Sequence, residues 1–126
     1  MANPNIVNVT SILGKTAYLT PSDTAANVLL ANAAASGTVL KINQIVAANV
    51  DGTNAVDCTV AINTAAAGSG TSYPIVSTVS VPADATLVVA DKTTAIYLEE
   101  DKSIVVTSGT ASKIAYTISY EIISDA

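Results

Sequence analysis

The chain contains no histidine, arginine, tryptophan or phenylalanine, and Cys58 is its only cysteine. A serine or cysteine nucleophile therefore has no imidazole base, and one thiol without imidazole cannot complete a tetrahedral zinc site. A serine activated by a lysine is the remaining arrangement, and nothing in the sequence marks any of the five lysines for that role. We therefore predict no catalytic residues, no enzymatic activity, no cofactor and no bound metal.

The single cysteine also excludes an intramolecular disulfide, which is typical of a protein that folds in a reducing cytosol. We expect Cys58 to pack as a small apolar residue. The first residues lack the basic stretch and apolar run of a secretory signal, and no apolar segment approaches the roughly 20 residues that span a bilayer. Neither secretion nor membrane insertion is expected.

Charge is scarce, because charged residues make up only 12% of the chain, where about 25% is usual for a soluble domain. The net charge of −5 and the pI near 4.2 argue against nucleic acid or an anionic membrane as a partner. A surface of Ser, Thr, Asn and Ala repels neighbours weakly and costs little to desolvate, which suits a protein packed against other subunits. A soluble Ala/Thr-rich monomer is the alternative interpretation.

Two acidic turns are the only places where a calcium ion needs consideration. One combines Asp51, Asn54 and Asp57, and the other is the run Glu99-Glu100-Asp101. Neither follows the spacing of an EF-hand loop. Solvated carboxylates that keep turns soluble are the preferred interpretation.

The clearest strand signal lies near the carboxyl end, where large apolar side chains alternate with small or polar ones from Lys113 to Ile122. Runs at Ile96–Leu98 and Ile104–Thr107 flank a polar turn and predict a hairpin. A further strand is expected to end before Pro82, which cannot donate to a sheet ladder, and Thr86–Val89 begins the next one.

The first half of the chain gives a mixed signal. Val39–Val50 and Ala55–Ile62 flank the turn sequence Asp51-Gly52-Thr53-Asn54, which predicts a second hairpin. The segment from Ile6 to Thr20 is β-rich, with Gly14 expected at a bulge or bend. A helix from Ser22 or Asp23 to Gly37 is possible on propensity alone, but its interior asparagines favour a strand at Asn27–Ala31.

Taken together, these segments predict about eight short strands separated by turns. The expected fold class is all-β, a single antiparallel β-sandwich domain over residues 1–126, either a jelly roll or immunoglobulin-like. We expect a short extended arm over about residues 1–8 before the sandwich, because the start of the chain contains Pro4 and has no helix-capping signal.

About the last two thirds of the chain, from Asn49 onward, resembles a family of small structural proteins of tailed bacteriophages, common among cyanophage-like viruses. The matching residues belong to strands and turns rather than to a catalytic signature. They are Asn49–Asn54, Ser80-Val81-Pro82-Ala83, Thr86-Leu87-Val88, Asp91-Lys92, Ile96–Asp101 and Ser119-Tyr120-Glu121. The first third is similar more loosely.

The resemblance implies a virion component that is made in the bacterial host cytoplasm. Within that group we favour a capsid decoration or cement protein, which binds the major capsid protein on the capsid surface. Such proteins are commonly β-rich homo-oligomers, and we favour a trimer. We expect the amino-terminal arm to pair with a sheet edge of the partner. The predicted interface residues are therefore Asn3, Pro4, Asn5, Ile6 and Val7.

Two other functions remain open. The first keeps the virion but places the protein in the tail, neck or baseplate. The second is a carbohydrate-binding or adhesion module, which usually needs exposed aromatic platforms. The chain has only five tyrosines, and strands account for Tyr97, Tyr116 and Tyr120.

Overall fold

The computed structural model describes residues 11–94 and 96–124, and over them the chain folds into two antiparallel sheets that pack face to face. This confirms the predicted all-β sandwich of about eight short strands. A 3₁₀ turn at Lys92–Thr94 is the one helical element among these residues. The strands are β1 (Ser11–Leu19), β2 (Asn27–Asn32), β3 (Thr38–Asn49), β4 (Val56–Asn63), β5 (Ser72–Val81), β6 (Thr86–Ala90), β7 (Ile96–Leu98), β8 (Lys102–Ser108) and β9 (Ile114–Ser124).

The strand order decides between the two predicted sandwich types. Sheet 1 has the order β1-β9-β3-β6, with β7 also paired to β3, and sheet 2 has the order β2-β8-β4-β5. The first strand therefore pairs with the last, the second with β8, the third with β6 and β7, and β4 with β5. Pairing of the first strand with the last, the second with the next to last and so on inward is the topology of a jelly roll. In this comparison β6 and β7, which both pair with β3, count as two halves of one strand.

The core lies between the sheets and is built by strict alternation. In β9 the inward side chains of Ile114, Tyr116 and Ile118 are fully buried, and the alternating Ala115 and Thr117 are half-buried. Each such side chain contributes roughly 1.5–3 kcal/mol by leaving water. Cys58 lies in the same core, 1% exposed, as predicted, and burial raises the pKa of its thiol.

Both predicted hairpins are wrong. Residues 38–49 belong to sheet 1 whereas β4 belongs to sheet 2, and β7 and β8 are divided in the same way. The strands are present, but the polar turn after each first strand carries the chain across to the other sheet. Turn residues of the Asp-Gly-Thr-Asn type serve either purpose, so composition alone does not distinguish a hairpin from a crossover between sheets.

Two other local predictions have opposite outcomes. The Asn27–Ala31 segment is a strand, β2, as favoured over the helix. Asn27 Nδ2 donates to Asp23 Oδ1 at 2.9 Å, so the residue considered as a helix cap instead stabilises the bend that leads into β2. The bulge at Gly14 is wrong, because β1 and β9 stay in continuous register through the Gly14–Glu121 pair.

Three strands end in a buried asparagine, and each holds the connection that follows. Asn32, Asn49 and Asn63 close β2, β3 and β4 and are 3%, 3% and 1% exposed. Asn49 Nδ2 donates to the carbonyls of Val81 and Asn54 at 2.9 and 3.0 Å, and its Oδ1 accepts the Asp51 N–H at 2.9 Å. Since a buried amide must be satisfied, these side chains fix where the chain leaves each sheet.

The β4–β5 connection folds back over the outer face of sheet 2. Ser103 Oγ donates to the Ala65 carbonyl at 2.7 Å. Gly68 has φ +78°, and a Cβ there would lie 3.0 Å from Val28 Cγ2 and 3.3 Å from Val105 Cγ1. The loop therefore covers Val105, which faces away from the core and is still only 5% exposed.

Candidate interaction surface

Large apolar side chains are exposed mainly at the edges of the two sheets. The edge strands are β1, β6 and β7 in sheet 1 and β2 and β5 in sheet 2. Seven of the eight exposed large hydrophobic residues lie on these strands, and the eighth follows β3: Ile12, Leu13, Tyr18, Val28, Tyr73, Val88, Tyr97 and Val50. The central strands β3, β4, β8 and β9 carry none. Exposed apolar surface therefore rims the sandwich instead of lining a single cleft.

The β1 edge is the most exposed part of this rim. β1 pairs with β9 on one side, from Ser11–Ser124 to Leu19–Tyr116, and no other described strand pairs with it. Seven of its nine residues are exposed. Ile122 of β9 pairs with Leu13 of β1 on one side and with Leu40 of β3 on the other. Leu40 is only 5% exposed, whereas Leu13 in the same row is 52% exposed. The start of β1 thus overhangs the core, beyond the cover of sheet 2.

The other edges carry features that obstruct pairing with another strand. β5 contains Pro74 and has Thr78 at φ +47°, with two register shifts against β4. β2 has a register shift between Val28 and Leu30. The fourth edge is divided between β6 and β7 by the 3₁₀ turn. Prolines, bulges and short strands are the usual protection of an edge, and β1 has none of them over its nine residues.

Charge protects β1 only weakly. Lys15 is its one charged residue. Edge strands are often guarded by lysines, because burying an ammonium against another sheet costs desolvation energy. A single lysine on a long stem can turn its charge into water and leave the backbone groups accessible.

A shallow cleft of about 520 Å³ lies beside β3 and the β6–β7 connection, lined by Asn43, Gln44, Asp91, Lys92, Thr93 and Ser119. Asp91 accepts hydrogen bonds from the Thr93 hydroxyl and, at 2.9 Å, from the Thr93 N–H. Both bonds lower the pKa of the Asp91 carboxyl, and the hydroxyl has the larger effect. That carboxylate is therefore engaged in shaping its own turn. No aromatic ring lines the cleft, so it lacks the stacking platform of a sugar site.

The tyrosines are distributed differently from the sequence interpretation. Tyr97 belongs to a strand, as predicted, but it is 45% exposed, and Tyr18 and Tyr73 are 80% and 62% exposed. The three exposed rings lie on β7, β1 and β5, three separate edge strands. Tyr116 is buried, and its hydroxyl donates to the Thr107 carbonyl at 3.0 Å. Desolvation is the main cause that raises the pKa of Tyr116 to about 12. The hydrogen bond with Ser108 acts in the opposite direction, but its effect is smaller.

In both acidic turns, carboxylates accept hydrogen bonds from backbone N–H groups. Asp51 Oδ1 accepts the N–H groups of Thr53 and Asn54 at 2.9 and 3.1 Å, and these bonds lower the pKa of Asp51. In the second turn Glu100 Oε2 accepts the Gly37 N–H at 3.2 Å. Across residues 11–94 and 96–124, no group of three or more His, Cys, Asp or Glu side chains is placed to hold a metal ion. Over the same residues no helix is long and apolar enough to cross a membrane.

The predicted interface residues Asn3, Pro4, Asn5, Ile6 and Val7 lie outside the described residues, so they stay a prediction. The sequence interpretation overlooked two features instead. The exposure of β1 has no signal in a single sequence, because it depends on how far sheet 2 extends. The strand-ending asparagines do have one, since Asn closes three strand-like runs at positions 32, 49 and 63.

No protein-family model matches the chain, and no curated protein matches it. Among solved structures, the chain is similar to one described as "Bacillus endospore appendages form a novel family of disulfide-linked pili", with 15% identity and a TM-score of 0.47 over 91% of this chain and 88% of that one. It is also similar to chains of infectious bursal disease virus. The Gx strain gives 10% identity and a TM-score of 0.42 over 90% of this chain, and the Gt strain gives 6% and 0.41 over 94%.

This chain spans about a third of the length of the two viral chains, 33% and 32%. At these scores and identities the similarities assign no function to the chain.

Proposed function

We propose that the chain is a non-enzymatic virion structural protein, a capsid decoration or cement protein that binds and stabilises the major capsid protein lattice of a tailed phage. The observation that carries the proposal is the rim of exposed apolar side chains around all four edges of the sandwich. A protein with one ligand gathers such surface in one patch, whereas a fastener between neighbours needs contact on several sides.

The composition of the surface supports the same role. Charged residues are 12% of the chain, so contacts with neighbours bury few ions and pay little of the desolvation that charged interfaces require. Binding energy then comes from apolar contact and from backbone hydrogen bonds at sheet edges, which add a strand of one molecule to the sheet of another. The jelly roll is itself a frequent fold of viral capsid domains, although a fold alone does not assign a function.

The interface with the capsid includes the amino-terminal arm in this proposal, with Asn3, Pro4, Asn5, Ile6 and Val7 pairing with a sheet edge of the major capsid protein. Deleting residues 1–8 should then lower capsid occupancy while the sandwich still unfolds at its original temperature. Unchanged occupancy of the deletion variant would remove the arm from the proposal. The proposal also includes a homo-oligomer, for which the resemblance to tailed-phage proteins implies a trimer.

Quantitative mass spectrometry of purified virions tests the proposal. We expect a copy number close to that of the major capsid protein, because a lattice fastener repeats with the lattice. A copy number far below that value would favour the tail, neck or baseplate instead. Absence from purified virions would overturn the virion role altogether.

A glycan array tests the adhesion alternative. The exposed tyrosines lie on separate edges and the cleft has no aromatic lining, so we expect no glycan to bind. Binding that is lost on changing Tyr18, Tyr73 or Tyr97 to Ala would favour a carbohydrate-binding module over the fastener.

A further inference from the structure

We propose that the Asp51-Gly52 peptide is a spontaneous modification site, at which aspartate converts to isoaspartate when the turn between β3 and β4 opens. In the folded chain the hydrogen bonds of that turn, residues 51–54, hold the reaction back. The proposal concerns the chemistry of one peptide bond, with water as the only other reactant. It goes beyond the proposed function and does not depend on it.

The first argument is the residue that follows the aspartate. In this reaction the backbone nitrogen of the next residue attacks the side-chain carbon of the aspartate, and a Cβ on that next residue obstructs the approach. Asp51 is the only aspartate of the chain that is followed by glycine, and no asparagine is followed by glycine. Gly52 is exposed, and its N–H has no acceptor among the described residues. The attacking nitrogen is therefore unobstructed and within reach of water.

The reaction balances with water alone. Gly52 N bonds to Asp51 Cγ, and the bond from Cγ to one carboxyl oxygen breaks. That oxygen leaves as water with the carboxyl proton and the amide proton, and a five-membered cyclic imide remains. Water then adds to one of the two imide carbonyl carbons. Opening at Cγ restores aspartate, whereas opening at the backbone carbonyl carbon leaves the main chain running through Cγ, which is isoaspartate.

The second argument is that the folded turn holds both sides of the reacting peptide. Asp51 Oδ1 accepts the N–H groups of Thr53 and Asn54 at 2.9 and 3.1 Å, and the Asp51 carbonyl accepts the Asp84 N–H at 3.1 Å. Bringing Gly52 N onto Cγ rotates the carboxyl and the peptide plane away from these donors. The bonds from Thr53 and Asn54 also lower the pKa of Asp51, so its carboxyl lacks the proton with which the oxygen leaves.

Isoaspartate at position 51 cannot rebuild this turn. The main chain gains one carbon between Asp51 and Gly52, and the carboxylate that accepts the N–H groups of Thr53 and Asn54 becomes part of the backbone. Asn49, which ends β3, loses the regular geometry in which its Oδ1 accepts the Asp51 N–H. The modification therefore weakens the point at which the chain passes from sheet 1 to sheet 2, and its accumulation lowers the stability of the sandwich.

The decisive experiment follows position 51 of the full chain at neutral pH, folded in buffer and unfolded in guanidinium chloride. Electron-transfer fragmentation in a mass spectrometer distinguishes isoaspartate from aspartate. In water enriched in the heavy oxygen isotope, each opening of the imide also marks residue 51 with one heavy oxygen. We expect the unfolded chain to convert about tenfold faster or more, because the folded chain must first open the turn. Asp91 accepts the Thr93 N–H in a similar turn but precedes a lysine, so it is the internal control and should convert far more slowly in both states.

Two variants separate the reacting residues from the turn that restrains them. Gly52→Ala fits the folded turn, since its Cβ would lie 3.6 Å from Asp84 Oδ2, an ordinary contact, and it should slow conversion severalfold in the unfolded chain. Asn49→Ala leaves the reacting residues intact but removes the acceptor of the Asp51 N–H. It should speed conversion in the folded chain and leave the rate in guanidinium chloride unchanged.

Three results would overturn the proposal. Equal rates in the folded and unfolded chain would show that the turn does not restrain the reaction. Preferential conversion at another aspartate, or a Gly52→Ala chain that converts as fast as the unmodified chain, would show that the glycine does not define the site.

Discussion

Strands β1 and β9 lie side by side in sheet 1 and pair over nine residues without a register shift, yet their surroundings differ sharply. β9 has Ile114, Tyr116 and Ile118 fully buried, whereas seven of the nine residues of β1 are exposed. The difference comes from the second layer, since sheet 2 covers β9 and stops short of the start of β1. Pairing with a buried strand therefore does not by itself make a strand part of the core.

The largest expected effect comes from truncating the covered strand. Ile118→Ala should lower the free energy of unfolding by about 2–5 kcal/mol, because it removes a fully buried side chain and leaves a cavity. Leu13→Ala on β1 is the matched control and should cost less than about 1 kcal/mol at high dilution. Urea titration measures both, and equal losses would mean that β1 is as much a part of the core as β9.

Next in size is the loss of a strand-end asparagine on β3, the other neighbour of β9. Asn49→Ala should cost about 2–3 kcal/mol in urea titration, because the carbonyl of Val81 would stay buried without its donor. Asn54→Ala, at an exposed position in the following turn, should change stability by no more than about 0.5 kcal/mol. A small effect at Asn49 would show that the sheets hold together without this tie.

A smaller effect, about 1–2 kcal/mol, is expected from Tyr116→Phe on β9, which loses the hydrogen bonds of the Tyr116 hydroxyl with the Thr107 carbonyl and the buried Ser108 hydroxyl. Tyr18→Phe on β1, at an 80% exposed ring, should have almost none. Urea titration of both variants at pH 7 compares the two strands at equal chemistry. Similar losses at the two positions would contradict the assigned difference in burial.

Alkaline pH sharpens the same comparison. The pKa of Tyr116 is raised to about 12 in the folded chain, from 10.0. The contribution of the Tyr116 phenol to the free energy of unfolding is therefore fully present below pH 10. It is lost as the pH rises through about 12, because Tyr116 ionises at a lower pH in the unfolded chain than in the folded chain. Stability should fall over this range more steeply in the unmodified chain than in Tyr116→Phe, and a spectroscopic titration of the phenols checks the pKa directly.

The smallest expected effect is that of salt. β1 carries one charge and the chain as a whole few, so self-association and capsid binding should change little between low and molar salt. Sedimentation and capsid retention at both salt concentrations measure this. Release of the protein from capsids at high salt would show that charged contacts dominate the interface.

The sequence predicted the strands better than their partners. The alternation from Lys113 to Ile122 and the stop at Pro82 identify β9 and the end of β5, because side-chain period and the missing proline donor are local properties. The two hairpins are wrong because the same polar turns serve a hairpin and a crossover between sheets. Which sheet a strand joins depends on distant pairings such as β1 with β9, and local composition carries no record of them.

The candidate surface was predicted only in kind. The low content of charged residues predicted a surface suited to packing against neighbours. The structure has such a surface, a rim of exposed apolar side chains with few charges. The location was not predicted, because the exposure of Leu13 depends on the extent of the opposite sheet. Gly14 was interpreted as a bulge, which is one common meaning of a strand glycine, but β1 keeps a regular register with β9 through this residue.

The nested order of the strands also bears on how the chain folds as it is synthesised. Of the described strands, β1 leaves the ribosome first and its partner β9 last, so sheet 1 cannot close until all of these strands are made. Such long-range pairing slows folding, and in the interval the apolar side chains of β1 are unpaired and open to other nascent chains. The proposed decoration role requires many copies, and nascent chains of the same protein would then be the nearest partners for unpaired β1 strands. Chaperone demand during expression should increase with the delay before β9 is complete.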